Sequence, residues 1–339
     1  MSDPTTGRRV ATLSDVAARA GVSPKTVSRA LNNEGNVRPD KVAKVLAAAT
    51  ELGFKPNEFA RLLRTRGTTS MFGVVTADVG DPFWSGVLRG VETAIARPDR
   101  FILSASLRDR DDHEHDIVSA MVERRVMALL LVPTTDDQSH LAAVTAAGTP
   151  VVCLDRPARG ADIDAVVADD TGGAERGVRL LLDHGHRRIA FLATPSIYTT
   201  GERLIGYRNA LSAADLRADE QLIDAAIPSA DQVEPVIRRM LAFDEPPTAV
   251  FSSNVAVSIG LLSRLRALRW APAIVAFSDF DAALIAEPMV TVVHNDPVEL
   301  GRCAAELALE RLAGYRGPPR MVRLDTPLLL RESHRLVRR

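Results

Sequence analysis

The sequence has few cysteines and no long apolar segment. Its two cysteines among 339 residues, Cys153 and Cys303, each lie in an apolar segment without a CxxC motif or a histidine partner. We therefore expect buried small side chains and neither a disulfide framework nor a zinc site. No stretch approaches the ~20 consecutive apolar residues of a membrane helix, and no apolar run follows the first arginines. We expect a cytoplasmic protein that is neither secreted nor bound to a membrane.

Motifs of the common nucleotide-binding and hydrolase folds are also absent from the sequence. The loop GVVTADVGDPFW lacks GxGxxG, and the chain contains neither GxxxxGK[ST] nor the nucleophile motif GxSxG. His113 and His115 in DDHEHD would point about 200° apart on a helix, so this stretch is predicted to be a solvated acidic helix start. His184 and His186 are expected at a helix end, as cationic or capping imidazoles. We predict no catalytic site, no cofactor and no metal.

Positive charge is concentrated in the first fifth of the chain. Residues 1–70 contain 12 Lys and Arg against 6 Asp and Glu, a net charge of +6, whereas the remaining residues contain 30 against 37, a net charge of −7. Such segregation indicates a head that binds a polyanion on a neutral to acidic body. By charge alone, nucleic-acid binding and solvated basic helices remain open alternatives.

Three short helices are predicted in this head. Thr12 can cap a first helix that Gly21 ends, and Ser23 can cap a second helix whose first residue is Pro24. The two-residue turn between them is typical of a helix-turn-helix. A third helix is predicted from about 39 to 52. Its inward positions are expected at Val42, Val45, Leu46, Ala49 and Leu52.

The second helix carries side chains that are suited to DNA. Lys25 and Arg29 share one face and offer donors to guanine or phosphate, whereas Thr26 and Ser28 suit phosphates and Pro24 offers shape. Because the second helix of a helix-turn-helix enters the major groove, we expect this face to contact bases. The alternative is a generic three-helix bundle with a hydrated basic helix.

The segments TLSDVAARAGVSPKTVSRALNN and VRPDKVAKVLAAATELGFKPNEFARLLRT resemble the head of the lactose-repressor (LacI/GalR) family of bacterial transcription regulators, and the resemblance covers the whole chain. It implies base contacts at Pro24, Lys25 and Arg29. It implies mostly phosphate contacts at Thr12, Thr26, Ser28 and Asn32. It also implies a hinge helix that forms on DNA over 57–63, with Asn57, Ala60 and Leu63 as DNA-binding positions and Leu63 as a minor-groove wedge.

The implied hinge has physical support of its own. Leu62 and Leu63 lie among Arg61, Arg64 and Arg66, and an apolar wedge flanked by cations suits a kinked minor groove. Such a segment need not be folded without DNA. The alternative is an ordinary interdomain linker.

Beyond residue 68 the pattern changes to alternating strands and helices, which is typical of parallel sheets covered on both faces. Two such series predict an α/β body of two doubly wound parallel sheets. Strands are predicted at 71–76, 101–105, 128–132 and 150–154 in the first series, and at 188–193, 222–227, 248–251 and 273–277 in the second. Helices are predicted near 83–96, 112–125, 137–147, 172–184, 201–214, 230–243 and 255–268.

The resemblance implies a two-lobed periplasmic-binding-protein architecture in which the chain crosses between the lobes three times. We expect a helix-turn-helix domain at 1–56, a hinge at 57–68, and an effector-binding and dimerisation domain at 69–333. The first lobe is expected at about 69–167 and 295–319. The second lobe is expected at about 168–294 and 320–333.

Ligands of such sheets bind beyond the carboxyl ends of the strands. Carboxylates, amides and an arginine after predicted strands suit the hydroxyls of a sugar, and an aromatic side chain such as Trp84 can cover its ring. The resemblance implies effector contacts at Phe83, Trp84, Asp155, Arg203 and Asn254. The alternatives are core or capping roles for Phe83 and Asn254, and a surface or lobe-pairing charge for Arg203.

The chain departs from the family pattern at two places in the second lobe. It has Asn254-Val255 where many members have Asn-Asp, and Ser278-Asp279 follows Ala276-Phe277 where they have Gly-Phe-Asp-Asp. The hydroxyl-binding aspartate is thus replaced by Ser278, with Asp279 as the candidate substitute. Effector identity therefore stays open.

Together these features predict a repressor that binds a pseudo-palindromic operator in double-stranded DNA as a homodimer and responds to a small polar effector, preferably a sugar. A carbohydrate-modifying enzyme with an incidental basic head and an exported solute-binding receptor are the rivals. The missing catalytic motifs weigh against the first and the missing signal peptide against the second. No heptad extension follows Leu330, so we do not expect a helix-built tetramer.

Overall fold

The computed structural model describes residues 11–31, 37–54, 70–107, 113–195 and 198–335. The chain divides into two compact units, Met1–Thr69 and Ser70–Arg339, and each unit has its own apolar core. None of the helices within the described ranges is long and apolar enough to cross a membrane.

The head contains the three predicted helices, α1 (Leu13–Ala20), α2 (Pro24–Leu31) and α3 (Pro39–Glu51). They enclose a small core in which Val16, Val27 and Val45, one from each helix, are fully buried. Because each helix contributes one apolar face to this core, its other face is left to solvent.

The ends of the first two helices follow from their capping residues. Thr12 and Asp15 form a reciprocal capping box, with the Asp15 N–H 3.3 Å from Thr12 Oγ1 and the Thr12 N–H 2.8 Å from Asp15 Oδ2. Gly21 ends α1 in the left-handed region at φ 65°. Ser23 Oγ accepts the N–H of Thr26 at 3.2 Å and thereby caps α2. The predicted helix-turn-helix spacing is confirmed.

Two leucines that were predicted to face the core at α3 are exposed. Leu46 is 50% exposed and Leu52 is 37% exposed, whereas Ala48 and Ala49 are buried. The inward stripe is centred on Val45, and Leu46 lies about 100° from it around the helix. Leu52 is already the residue that ends α3, so it lies at the edge of the core.

The body consists of twelve strands and nine helices in its described residues. The first sheet contains β1 (Met71–Thr76), β2 (Phe101–Ser106), β3 (Ala128–Leu131), β4 (Val151–Leu154), β5 (Asp164–Ala168) and β11 (Met321–Leu324). Its strand order is β11-β5-β4-β3-β1-β2, and every pair is parallel. Its helices are α4 (Pro82–Ala94), α5 (Glu114–Glu123), α6 (His140–Ala146) and α12 (Pro297–Leu312).

The second sheet contains β6 (Ile189–Leu192), β7 (Ile223–Asp224), β8 (Ala249–Ser252), β9 (Ala273–Phe277), β10 (Thr291–Val293) and β12 (Leu328–Leu329). Its order is β12-β10-β9-β8-β6-β7, and it is parallel except for the antiparallel edge strand β12. Its helices are α7 (Asp170–Asp183), α8 (Thr199–Ala213), α9 (Val233–Leu241), α10 (Val255–Leu268) and α11 (Asp281–Ile285). The predicted two-sheet α/β body is confirmed, with this one antiparallel exception.

The chain passes between the two sheets three times, as the resemblance implies. It leaves the first sheet after β5, returns after β10 with α12, and leaves again between β11 and β12. The expected start of the last second-lobe segment, at 320, is too early because β11 pairs with β5 through residue 324. The unpaired edge of β5 accepts this extra strand, and the third crossing therefore lies at 325–327.

Close helix packing holds the returning segment in the first lobe. Gly90 of α4 and Gly301 of α12 face each other, so that a Cβ on Gly90 would clash with the backbone oxygen of Val298, and one on Gly301 with that of Val87. Leu300 and Ala304 of α12 are buried in the same core. The absence of a side chain at both glycines lets the two helix backbones approach this closely.

The acidic stretch near residue 114 is not a solvated helix start throughout. Glu114 is fully buried, and its carboxylate accepts hydrogen bonds from the N–H groups of Thr134 at 2.6 Å and Thr135 at 3.1 Å. These hydrogen bonds replace the water that the carboxylate loses on burial. His140 Nε2 lies 3.7 Å from the same carboxylate. The prediction is wrong for Glu114, while His115 and Asp116 are exposed as expected.

His184, His186 and the two cysteines have packing or capping roles. His184 ends α7, and its Nδ1 lies 2.8 Å from the Leu180 oxygen, in agreement with a capping imidazole. His186 is buried, and burial, with His184 nearby, lowers its pKa, so it is neutral and not cationic. Cys153 is fully buried as predicted, whereas Cys303 is half-buried and its thiol lies 3.4 Å from a Glu299 oxygen.

Candidate functional site

The outer face of α2 holds the central group of predicted DNA-binding residues in the head. Val27 and Ala30 bury the inner face, whereas Pro24, Lys25 and Arg29 are exposed. Pro24 as the first helical residue removes an N–H that would lack a partner and leaves its ring on the surface. The second helix of the turn thus presents two cations and an apolar ring to solvent.

The other predicted DNA-binding positions are distributed around this face. Thr26 and Ser28 are half-buried, and Thr26 Oγ1 lies 2.9 Å from Ser23 Oγ. Thr12 is exposed at the start of α1, where its hydroxyl lies 2.6 Å from Asp15 Oδ2. Asn32, Asn57, Ala60 and Leu63 lie outside the described residues, so their predicted roles, and the minor-groove wedge, stay predictions.

A second group of candidates follows the strands of the first sheet. Asp155 comes directly after β4 in the left-handed region at φ 67°, is buried, and lies 3.1 Å from Arg156 Nη2. Phe83 and Trp84 begin α4, and their rings meet edge to face at 5.1 Å. Trp84 is only 5% exposed in the core of the first lobe, so Phe83, which is half-buried, is the better candidate to cover a ligand ring.

Arg203 is the centre of the corresponding group in the second lobe. Its Nε donates to Asp170 Oδ1 at 2.7 Å, its Nη1 donates to the backbone oxygen of Ser253, and its guanidinium lies 3.8 Å from the centre of the Phe277 ring. The side chain is therefore fixed by an ion pair, a hydrogen bond and a cation–π contact. This arrangement excludes a loose surface charge for Arg203.

Asp170 was not predicted from the sequence as a site residue. It is 1% exposed, and burial raises its pKa to about 6, with Arg203 opposing this shift and Asp155 adding to it. Its Oδ2 has no hydrogen-bond partner in the described part of the chain. Asp170 was missed because it lies at the start of α7, after the strand β5, which the sequence pattern did not predict.

Both polar atoms of the Asn254 side chain form hydrogen bonds within the protein. Its Oδ1 accepts the Val257 N–H at 3.0 Å and caps α10, and its Nδ2 donates to Thr194 Oγ1 at 2.8 Å. The capping alternative thus describes these contacts, and any ligand contact would compete with them.

The contacts of Asp279 do not favour its expected role as a substitute for the missing aspartate. Both oxygens of Asp279 accept hydrogen bonds from Arg331, at 2.9 and 2.7 Å. Burial alone would raise the pKa of Asp279, but Arg331 and the Phe280 N–H together hold it below its usual value. Ser278 is buried and adopts the left-handed region at φ 72°. Its side chain supplies the hydroxyl at this strand end.

Two further polar groups lie at the strand ends of the second sheet. Ser253 follows β8, and Asn295 follows β10, the neighbour of β9. Both are buried, and Ser253 Oγ and Asn295 Oδ1 have no partner among the described residues. Buried polar groups are normally paired. A ligand or ordered water is the natural partner for this group of atoms.

Comparison with known proteins gives two matching domain families. Residues 12–57 match the bacterial regulatory proteins of the lacI family, and residues 178–334 match the periplasmic binding protein-like domain. The HTH-type transcriptional regulator CelR of Thermobifida fusca is 35% identical over 96% of this chain and 99% of its own length. The HTH-type transcriptional regulator GalS of Salmonella typhimurium is 30% identical over 89% of this chain and 90% of its own length.

Solved structures give the same result. The CelR–cellobiose complex has a TM-score of 0.70 at 30% identity and covers 95% of this chain and 99% of that one. A lac repressor dimer bound to operator and the anti-inducer ONPF has a TM-score of 0.82 at 24% identity, over 96% of this chain and 100% of that one. At 24% identity, the latter likeness supports the fold.

Proposed function

Because this chain belongs to the lacI family of bacterial transcriptional regulators, we propose that it is a cytoplasmic repressor that binds a two-fold symmetric operator as a homodimer. The observation that carries the proposal is the outer face of α2, with Pro24, Lys25 and Arg29 exposed on a helix whose other face is buried. Arginine and lysine on such a helix pair with guanine edges or phosphates in the major groove.

The test is selection of bound fragments from a random duplex pool at near-physiological salt. Three proteins are compared: the intact chain, the variant Lys25→Ala/Arg29→Ala, and the variant Lys41→Ala/Lys44→Ala, which removes the same charge from exposed positions of α3. We expect a two-fold symmetric motif with the intact chain and the α3 variant. The same motif from the α2 variant would refute the role of this face, and enrichment of no motif would refute sequence-specific binding.

Repression requires that the operator, once occupied, blocks transcription. Transcription in vitro from a promoter that contains the selected motif would fall as the protein is added if the chain is a repressor. A rise would make it an activator. The variant Lys25→Ala/Arg29→Ala serves as the control, because it retains the body and alters the DNA-reading face alone.

The homodimer has a candidate interface on the second lobe. A surface groove of about 820 Å³ is lined by Ile259, Leu262, Leu265, Trp270 and Ile285, among others. Ile285 is 83% exposed, and the adjacent Leu284 is 54% exposed. Exposed apolar groups gathered in this way mark interaction surfaces in soluble proteins. We propose that a second copy of the chain covers this groove.

The effector is proposed to be a sugar held between the two sheets, and the related CelR, which was solved as a complex with cellobiose, supports this ligand class. Phe83 and Asp155 would contact it from the first lobe, and Arg203 and Ser278 from the second. If effector binding changes operator affinity by the usual 1–3 kcal/mol, operator DNA must change effector affinity by the same factor. Calorimetry with cellobiose, with and without the selected operator, would test this, and equal affinities would exclude coupling.

A further inference from the structure

Four carboxylates at strand ends of the body are each paired with an arginine. Asp155 pairs with Arg156 at 3.1 Å after β4, and Asp170 with Arg203 at 2.7 Å at the start of α7. Two more pairs, Asp169 with Arg176 at 3.2 Å and Asp279 with Arg331 at 2.7 Å, follow β5 and β9. Each arginine at these positions has its charge matched, so these pairs bring no surplus positive charge toward a ligand.

The electrostatic field at Tyr198, which precedes α8, agrees with this pairing. Burial raises the pKa of Tyr198 first, and the charges of Glu202, Asp170 and Asp155 raise it further, while the charge of Arg323 lowers it. Carboxylates therefore outweigh the cation around this hydroxyl. A ligand that carried a negative charge would meet repulsion here and no spare cation in the four pairs.

Four buried side-chain atoms near these strand ends have no partner among the described residues, and two of them, Asp170 Oδ2 and Asn295 Oδ1, can only accept. The other two, Ser253 Oγ and His294 Nδ1, can accept or donate. Asp170 and Ser253 are both held against Arg203, through Oδ1 and the backbone oxygen respectively. Leaving a buried acceptor without a donor is unfavourable, so the site favours a ligand that brings hydroxyl donors.

We propose that Asp170 is a specificity-determining residue that accepts a ligand hydroxyl through its free oxygen and restricts the effector to uncharged, hydroxyl-rich sugars, against sugar phosphates and sugar acids. The inference rests on the proposed effector site. It adds a contact that neither the sequence pattern nor the comparisons assign. In this arrangement Arg203 holds Asp170 in place and does not serve as an anion receptor.

The experiment is calorimetry on the full chain at pH 7.5 with matched neutral and anionic probes. The neutral probes are cellobiose, glucose, galactose and ribose, and the anionic probes are glucose 6-phosphate, ribose 5-phosphate and gluconate. We expect at least one neutral sugar to bind and its anionic counterparts to bind at least about a hundredfold more weakly. An anion that binds as tightly as any neutral probe, or no neutral probe binding at about 10 mM, overturns the proposal.

The variant Asp170→Asn isolates the carboxylate. It should weaken the best neutral sugar about tenfold or more and shift the ratio of neutral to anionic affinity toward the anion, because the charge of Arg203 is then unmatched. Asp183→Asn, at the exposed end of the same helix α7, should leave both affinities unchanged. An unchanged ratio in Asp170→Asn overturns the assignment, since a merely structural role would weaken both ligand classes together.

Two controls separate this result from misfolding and from failure of the proposed function. Ser253→Ala removes one unpartnered hydroxyl without adding volume, and it should weaken the neutral sugar while preserving the preference for it over the anion. Loss of that preference in Ser253→Ala would contradict the role given to Asp170. Selection of operator fragments by the same protein reports on DNA binding separately, so that a chain that binds operator but no neutral sugar refutes the ligand class alone.

Discussion

At the scale of single residues, Arg29 has the clearest expected effect on DNA recognition. It is exposed on α2, and Arg29→Ala should cost about 1–3 kcal/mol in specific binding and relax the preference at one base position of each half-site. Lys44→Ala on α3 is the matched control and should leave base preference unchanged. Uniform weakening over all sequences by Arg29→Ala would mean that the arginine contacts phosphate alone.

Asp170 should make the stability of the body depend on pH. Its pKa of about 6 in the folded chain lies above the ordinary aspartate value, so the folded state keeps a proton that the unfolded state has lost. Stability from this group is therefore fully present below about pH 4 and is lost as the pH rises through 6, by up to about 3 kcal/mol. Melting temperatures of the intact chain and Asp170→Asn from pH 4.5 to 7.5 would show a smaller fall in the variant. Parallel curves would contradict this titration.

Residue types at strand ends were predicted better than their contacts. The sequence indicates polar side chains at Asp155, Arg203 and Asn254, and the structure has them at strand ends or helix starts. It does not reveal that Asn254 caps a helix or that Asp279 pairs with Arg331, 52 residues along the chain. Such pairing depends on tertiary packing, and the sequence of one strand and the residues after it does not specify which distant residue will pack there.

At the scale of secondary structure, the contact between α4 and α12 depends on two glycines. A Cβ on Gly301 would clash with the backbone oxygen of Val87, so Gly301→Ala should force the helices apart and destabilise the body by about 1–3 kcal/mol. Gly201 in α8 has open space around the Cβ position, and Gly201→Ala is the control, with a neutral or slightly stabilising effect expected. Thermal unfolding of both variants would decide, and equal melting temperatures would contradict the close contact.

The strands that were predicted are those with clear apolar runs. Met71–Thr76 and Ala273–Phe277 agree in both bounds with the structure. The short strands β10, β11 and β12 were missed, because two to four residues give little periodicity, and β11 and β12 are in addition half-buried or exposed. β5 was also missed, although it is fully buried. The crossings between lobes depend on these strands, and so the lobe boundary near 320 was placed too early.

At the scale of the whole molecule, Arg176 joins two of the three crossings between the lobes. It donates to Asp169 Oδ2 at 3.2 Å in the first crossing and to the Thr326 oxygen at 2.9 Å in the third. Arg176→Leu should therefore speed hydrogen exchange at 325–329, whereas Arg179→Leu, which removes the exposed pair with Glu175, should not. Equal protection in both variants would show that the crossings are held without this side chain.

The proposed dimer is the property of the whole molecule on which recognition of the proposed two-fold symmetric operator depends. In an isologous interface, the same groove of both copies takes part in the contact. A charge introduced at the most exposed apolar residue of the groove therefore faces either the same charge on the second copy or an apolar surface. Ile285→Asp should lower the dimerisation affinity by at least about a hundredfold, because it buries an unpaired carboxylate. Ile205→Asp is the control: this exposed residue of α8 lies outside the groove and should leave association unchanged. Sedimentation equilibrium of the two variants and the intact chain measures the effect.

A fully dimeric Ile285→Asp protein would show that the two copies meet through another face. Weaker operator binding by a monomeric Ile285→Asp protein, with an unchanged half-site preference, would connect the interface to DNA recognition.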